Sequence, residues 1–125
     1  MYMENDGRQT VLIVDDSLLI CNQIRLALKE EDINICEAHT GQEAVEQIKQ
    51  HQPDLILLDV VLPDADGYEL YGTLKEADQK NAVIIFLTSK SSDEDVVRGF
   101  SVGACDYIKK PFVKAELQSR IHAHL

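Results

Sequence analysis

The sequence has 125 residues, of which 45% are hydrophobic, and its formal net charge at pH 7 is −10. This length is enough for one domain with one hydrophobic core, and the composition excludes a disordered chain. No apolar run approaches the ~20 residues of a membrane span, and residues 1–10 lack the apolar core of a signal peptide. We therefore predict a cytoplasmic protein. Because its negative charge repels nucleic acids and anionic membranes, we expect it to bind neither directly.

The cysteines and histidines do not indicate a metal site at the level of sequence spacing. The cysteines are far apart and form no C-x-x-C pair, so we expect small buried apolar residues at Cys21, Cys36 and Cys105. The histidines have no metal-ligand spacing relative to these cysteines; they are His39, His51, His122 and His124. We therefore predict neither a metal nor a redox role for the cysteines.

The beginning of the chain indicates a flexible tail over residues 1–8, followed by a strand and a helix. Residues 10–14, TVLIV, are typical of a buried strand and lead into Asp15 and Asp16. Ser17 is a favourable N-cap residue for a helix that continues to about Glu30. Its buried stripe is predicted at Ile20, Ile24, Ala27 and Leu28.

The next stretch predicts an edge strand and a second helix. Residues 33–38 alternate between apolar and polar side chains, as a half-exposed edge strand does. Thr40 and Glu43 have the spacing of a capping box, in which the two side chains hydrogen-bond reciprocally at a helix start. The helix is predicted to bury Ala44, Val45 and Ile48, and Pro53 prevents it from continuing.

A run of four apolar residues, LILL at positions 55–58, predicts a central strand that is buried on both faces and leads into Asp59. Pro63 and Gly67 mark a loop. Asp64 and Asp66 are expected to serve that loop and a helix cap, not a metal. A third helix follows, whose buried face is predicted at Leu70, Leu74 and Ala77.

The remaining residues predict two more strands and two more helices. Residues 82–87 form another buried apolar run and lead into Thr88, and Ser91 and Ser92 can cap a fourth helix that ends near Gly103. A short fifth strand is predicted over residues 106–109. The final helix is predicted to bury apolar residues at four-residue spacing, namely Val113, Leu117, Ile121 and Leu125. The strict alternation of strands and helices predicts a parallel sheet with helices on both faces.

Polar residues follow the predicted strands at their carboxyl ends, which meet at one edge of a parallel sheet. They are Asp15, Asp16, Asp59, Thr88 and Lys110. Crowded carboxylates repel one another, and Mg²⁺ relieves this repulsion while leaving room for a phosphate oxygen. Asp59 then acts as a carboxylate nucleophile toward phosphorus. Thr88 can donate a hydrogen bond to the phosphoryl group, and Lys110 can neutralise its charge.

Over residues 9–125, the chain resembles the receiver domain of a bacterial response regulator. The matching segments are VDD at 14–16, LLDVVLPDADG at 57–67, LTS at 87–89 and GACDYIKKPF at 103–112. The resemblance implies a flavodoxin-like, doubly wound sheet with strand order 2-1-3-4-5. It also implies that a histidine kinase or phosphotransfer protein phosphorylates Asp59, in a signalling protein that is not an enzyme but assists its own phosphorylation and dephosphorylation.

The resemblance further implies roles for individual residues. Asp16 and Asp59 would bind Mg²⁺ directly, together with the backbone carbonyl of Val61, and Asp15 would act through water. Lys110 matches the family lysine because it directly precedes Pro111, and that peptide bond is typically cis in the family.

The resemblance also implies a switch. Tyr107 matches the aromatic residue that turns inward when Thr88 moves toward the phosphoryl group. The output surface would be the fourth helix, fifth strand and fifth helix, roughly residues 91–125. It would contact either a C-terminal output domain or a second copy in a homodimer.

Two other functions agree less well with the sequence. A phosphotransferase or hydrolase of the haloacid dehalogenase type uses similar residues but requires a second aspartate two positions after the nucleophile, where this chain has Val61. A flavodoxin-like nucleotide module requires a phosphate-binding loop after the first strand. Here Asp15 and Asp16 would repel a phosphate at that position unless a metal intervened.

Overall fold

The computed structural model of this chain describes residues 7–89 and 93–125. Within these ranges, five strands alternate with five helices. The strands are β1 (Gln9–Val14), β2 (Ile33–Ala38), β3 (Leu55–Leu58), β4 (Val83–Thr88) and β5 (Asp106–Lys109). The helices are α1 (Leu18–Leu28), α2 (Gly41–His51), α3 (Gly67–Ala77), α4 (Asp93–Ser101) and α5 (Lys114–His124).

The strands form one parallel sheet in the order β2-β1-β3-β4-β5. One cluster of buried residues packs α1 and α5 against one face of the sheet, and a second cluster packs α2, α3 and α4 against the other. This arrangement confirms the predicted flavodoxin-like, doubly wound fold. Among the described residues, no helix has the length and apolar character needed to cross a membrane.

The central strand β3 is buried on both faces, as its four-residue apolar run predicts. Leu55 and Leu57 belong to the cluster with α1 and α5, whereas Ile56 and Leu58 belong to the opposite cluster. Burying each such side chain contributes about 2 kcal/mol to stability. The strand therefore gives Asp59, the residue that follows it, a rigid support.

Two helices begin with the side-chain caps that the sequence predicts. Ser17 Oγ accepts a hydrogen bond from the amide of Ile20 at 3.3 Å, at the start of α1. Asp66 Oδ1 accepts one from the amide of Tyr68 at 2.7 Å, at the start of α3. These bonds satisfy amide groups that have no partner within the helix itself.

The predicted capping box of α2 is only half present. Thr40 Oγ1 accepts a hydrogen bond from the amide of Glu43 at 3.1 Å. The reciprocal bond is not to Thr40, because Glu43 Oε1 accepts from the amide of His39 at 3.2 Å. The His39 ring also lies close to this carboxylate, with 3.8 Å between Nδ1 and Oε1.

The end of α4 agrees with the sequence, but its start cannot be compared with the prediction. The predicted caps Ser91 and Ser92 lie outside the described residues. Gly103 has a φ of 110°, a conformation that favours glycine, and its amide donates to the carbonyl of Phe100 at 3.0 Å. Gly103 therefore terminates the helix as predicted.

Two predictions about buried residues are wrong. Val113 is 67% exposed because it precedes α5 as its N-cap in an extended conformation, so the helical spacing does not yet apply to it. The buried residues of α5 are Leu117 and Ile121. Cys105 is exposed because it lies in the turn before β5, whereas Cys21 and Cys36 are buried as predicted.

Candidate functional site

Four parallel strands place polar residues at the same edge of the sheet. Asp15 follows β1, Asp59 follows β3, Thr88 is the last residue of β4, and Lys110 follows β5. Backbone hydrogen bonds between neighbouring strands extend to the residues of this edge. The amide of Asp59 donates to the carbonyl of Val14, and the amide of Lys110 donates to that of Thr88, both at 2.9 Å.

Lys110 joins the two buried carboxylates of this pocket. Its Nζ lies 2.6 Å from Asp15 Oδ2 and 3.1 Å from Asp59 Oδ2. The peptide bond between Lys110 and Pro111 is cis, as the resemblance implies. The ammonium group thus offsets part of the repulsion between the two acids.

The charges in the pocket interact strongly because water is largely excluded. Asp15 is 0% exposed and Asp59 is 6% exposed. Burial, and then the charge of Asp15, raise the pKa of Asp59, although Lys110 and the amide of Val61 oppose this shift. Burial lowers the pKa of Lys110, but its bond to Asp15 and the charges of both acids outweigh that effect, so the net shift is upward. The charge of Lys110 is stabilised by two anions, whereas the charge of Asp59 is opposed by the anion of Asp15 and supported by the cation of Lys110.

The two neighbouring aspartates after β1 have different environments. Both oxygens of Asp15 already accept hydrogen bonds, Oδ1 from the amide of Ser17 at 2.9 Å and Oδ2 from Lys110. Asp16 is exposed to solvent. One carboxylate oxygen from each of Asp15, Asp16 and Asp59 lies within 4.8 Å of the others. Asp16 is therefore the accessible acid at the entrance to the pocket.

The loop after Asp59 is held close to the pocket. The amide of Val61 donates to Asp59 Oδ1 at 3.2 Å, and Val61 forms an antiparallel bridge with Asp66. A Cβ atom on Gly67 would lie 2.4 Å from the carbonyl oxygen of Asp59 and 2.6 Å from Val60 Cα. Only glycine allows this close backbone approach.

Asp64 connects the same loop to α2, a contact that the sequence did not reveal. Its Oδ1 accepts from the amide of Gly41 at 2.7 Å and its Oδ2 from the amide of Gln42 at 3.2 Å. These bonds lower the pKa of Asp64. Asp64 thus caps a helix as well as serving the loop, but the helix precedes it in the chain.

Thr88 and Tyr107 lie on the same face of the sheet. Phe86 pairs with Tyr107 in the register of β4 and β5, and Thr88 is two residues beyond Phe86. Alternation along a strand therefore directs Thr88 and Tyr107 to the same side. Both side chains are buried.

Tyr68 is a further residue of this region that the sequence reasoning missed. Its hydroxyl donates to the carbonyl of Asp95 in α4 at 3.0 Å and lies 3.2 Å from the hydroxyl of Tyr107. The Arg98 guanidinium lies 4.5 Å from the Tyr68 ring centroid. A tyrosine on the buried face of α3, directly after Gly67, was the available signal, because buried hydroxyls require partners.

Comparisons with known proteins identify the family. Residues 11–122 match the family described as response regulator receiver domain. The chain is 44% identical over 124 residues to the transcriptional regulatory protein YvrH of Bacillus subtilis (strain 168), a match that covers 98% of this chain and 50% of YvrH. It is 42% identical over 113 residues to the cell cycle response regulator CtrA of Brucella ovis, covering 90% of this chain and 48% of CtrA.

A solved structure supports the same conclusion. The BeF3-activated N-terminal receiver domain of Klebsiella pneumoniae RstA aligns with a TM-score of 0.85 and 33% identity, covering 93% of this chain and 97% of that one. The chain spans about half the length of the curated relatives that it matches. The family match includes all residues of the acidic pocket, as well as Thr88 and Tyr107. The chain therefore belongs to the response regulator receiver domain family of two-component signalling systems.

Proposed function

We propose that Asp59 accepts a phosphoryl group from the phosphohistidine of a histidine kinase or phosphotransfer protein. The observation that carries this proposal is the contact of Lys110 with both Asp15 and Asp59 at the carboxyl ends of the strands. In the proposed step, an Asp59 carboxylate oxygen forms a bond to phosphorus. The phosphorus–nitrogen bond breaks, and its electron pair remains on the leaving imidazole.

The neighbouring side chains prepare the pocket for the added charge. Lys110 is 3.1 Å from Asp59 Oδ2, so it can neutralise a phosphoryl oxygen on Asp59. We assign Thr88 the role of donating a hydrogen bond to another phosphoryl oxygen. The amide of Val61 holds Asp59 Oδ1 and thereby orients the carboxylate.

The residues present fit a Mg²⁺ ion. Three carboxylates supply the hard oxygen ligands that Mg²⁺ prefers. We propose that Asp16 and Asp59 bind the ion with the backbone carbonyl of Val61, and that Asp15, which is completely buried, acts through water. When bound, Mg²⁺ supplies positive charge that stabilises the phosphoryl group during transfer.

We propose that phosphorylation is transmitted through Thr88 and Tyr107 to the surface formed by α4, β5 and α5. This surface would bind a C-terminal output domain or a second copy of the chain. The RstA domain was solved in a BeF3-activated form, which supports treating this fold as a two-state switch. We assign the receiver domain to residues 9–125. Residues 1–6, most of the tail that the sequence predicts, lie outside the described residues.

A haloacid dehalogenase-like reaction has less support. That chemistry requires a second acid two residues after the nucleophile, and Val61 occupies this position with an exposed apolar side chain. Val61 offers no group for general acid–base catalysis. A cytoplasmic signalling phosphoacceptor is therefore the function we propose.

The proposal can be tested with acetyl phosphate and Mg²⁺. We expect intact-protein mass spectrometry to show the addition of one phosphoryl group to the wild type and none to Asp59→Asn. Asp32→Asn is a matched control, because the Asp32 side chain is 87% exposed, lies 3.9 Å from Arg8 Nε and precedes β2, at the opposite end of the strands from the pocket. Undiminished labelling of Asp59→Asn would contradict the assignment.

A further inference from the structure

A second group of metal-binding side chains lies outside the acidic pocket. Cys21 is on α1, Glu37 is on β2 and His39 follows β2. One potential ligand atom from each lies within 4.8 Å of the other two. Glu37 Oε1 and His39 Nε2 are 2.9 Å apart. The three residues thus already converge on one point between the edge strand and α1.

We propose that Cys21, Glu37 and His39 form a binding site for Zn²⁺. Thiolate sulfur, imidazole nitrogen and carboxylate oxygen are the ligand types that bind this ion. The three residues leave a fourth position for water, and solvent can reach it because His39 is 38% exposed. The sulfur and nitrogen atoms distinguish this site from the all-oxygen pocket around Asp59, which suits Mg²⁺.

Neighbouring side chains support the proposed ligands. Glu43 Oε1 accepts a hydrogen bond from the backbone amide of His39 at 3.2 Å and lies 3.8 Å from His39 Nδ1, so Glu43 restrains the backbone of the histidine. Arg25 Nε contacts Glu37 Oε2, so Glu37 Oε1 is the oxygen directed toward His39. Arg25 also offsets part of the negative charge that a thiolate and a carboxylate bring together.

Binding would replace the proton of Cys21. Burial, and then the charge of Glu37, raise the pKa of this thiol to about 12, so it is protonated in the absence of a metal. In the proposed step a zinc–sulfur bond forms, the sulfur–hydrogen bond breaks, and one proton is released to solvent. The Cys21 thiol donates a hydrogen bond to the carbonyl oxygen of Asp15 at 3.6 Å, and this bond is lost together with the proton. The proposed zinc site therefore adjoins the backbone of the acidic pocket.

Cobalt(II) provides a spectroscopic test because it replaces zinc and reports sulfur ligation by a charge-transfer band. We expect one equivalent of Co²⁺, added to the full chain in excess Mg²⁺, to produce this band, and Zn²⁺ to abolish it. Cys21→Ser should not show the band. Cys105→Ser should retain it, because Cys105 is exposed and lies outside the cluster. His39→Gln, a change at a more exposed position, should weaken Co²⁺ binding at least about tenfold.

The outcomes separate this proposal from the phosphorylation proposal. Asp59→Asn should retain the cobalt band, since Asp59 is not a ligand of this site. The zinc proposal is overturned if the wild type shows no sulfur band, or if Cys105→Ser removes it. It is also overturned if His39→Gln binds Co²⁺ as tightly as the wild type. Circular dichroism of Cys21→Ser and His39→Gln would establish that each variant is folded before its spectrum is interpreted.

Discussion

Lys110 Nζ lies 2.6 Å from Asp15 Oδ2, although the two residues are 95 positions apart in the chain. The contact joins the ends of β1 and β5, which are not neighbours in the sheet. Asp15 is completely buried, so this ammonium group and the amide of Ser17 take the place of water as hydrogen-bond donors to its carboxylate. The same ammonium also contacts Asp59, so one cation serves two acids.

Removal of this cation should destabilise the protein. We expect Lys110→Ala to lower the free energy of unfolding by about 3 kcal/mol, because two buried carboxylates lose their partner. Lys109→Ala is the matched control, since Lys109 is the adjacent exposed lysine, and its effect should stay within about 0.5 kcal/mol. Urea denaturation of both variants measures the difference. Equal stability of the two variants would show that Lys110 does not neutralise the pocket.

Replacing Asp16 should weaken Mg²⁺ binding but stabilise the metal-free protein. We expect Asp16→Ala to weaken Mg²⁺ binding by about tenfold or more, which corresponds to roughly 1.4 kcal/mol. Without metal, the variant should be more stable than the wild type because one repelling charge is gone. Calorimetric Mg²⁺ titration and urea denaturation test the two effects. Unchanged Mg²⁺ affinity would refute the first, and a less stable metal-free variant would refute the second.

The ionisation of Asp59 should cost stability at neutral pH. Burial, and then Asp15, raise its pKa above the ordinary value of 3.8, so the folded protein holds this proton more tightly than the unfolded chain does. The contribution of Asp59 to stability therefore falls as pH rises through the interval between 3.8 and the raised value. We expect Asp59→Asn to be more stable than the wild type at pH 7, and the difference to shrink below pH 3.8. Paired urea denaturation at both pH values measures this, and a pH-independent difference would contradict the raised pKa.

Gly67 and Gly72 should respond in opposite ways to the same substitution. We expect Gly67→Ala to destabilise the protein by about 2 kcal/mol or more, because its Cβ would meet the backbone of Asp59 and Val60 at 2.4 and 2.6 Å. Gly72→Ala, in the same helix, has no atom within 4 Å of the new Cβ. It should stabilise α3 by about 0.5–1 kcal/mol, owing to the higher helix propensity of alanine. Thermal denaturation of the two variants gives the comparison, and a neutral Gly67→Ala would show that the loop can shift freely.

The fold and the grouping of the acidic-pocket residues were predictable because local patterns define the strands and their alternation with helices defines the topology. The run at 55–58 is too short and too apolar for an exposed helix, and each flanking strand has a similar run. In an alternating parallel fold, the ends of such strands must meet at one edge. The proximity of Asp15, Asp59 and Lys110 follows from topology alone.

Contacts between elements that share no local pattern were not predictable. Asp64 caps a helix 23 positions earlier in the chain, and no sequence spacing reports that pairing. The sequence spacing of Cys21 and His39 does not predict that they lie close together, yet α1 packs against β2 and places their ligand atoms within 4.8 Å of each other. The prediction that Val113 is buried was wrong because a four-residue spacing does not reveal where the helix begins.

The proposed phosphorylation switch is tested most directly by the response of the amide chemical shifts to beryllofluoride, a stable mimic of the phosphoryl group, in the presence of Mg²⁺. In the wild type, we expect changes around Asp16 and Asp59 and also across residues 93–125. Asp59→Asn should show neither set of changes, and Thr88→Ala should show the first set with a reduced response at Tyr107. If the pocket of the wild type responds while residues 93–125 remain unchanged, or if Asp59→Asn responds fully, the proposed phosphorylation switch is wrong.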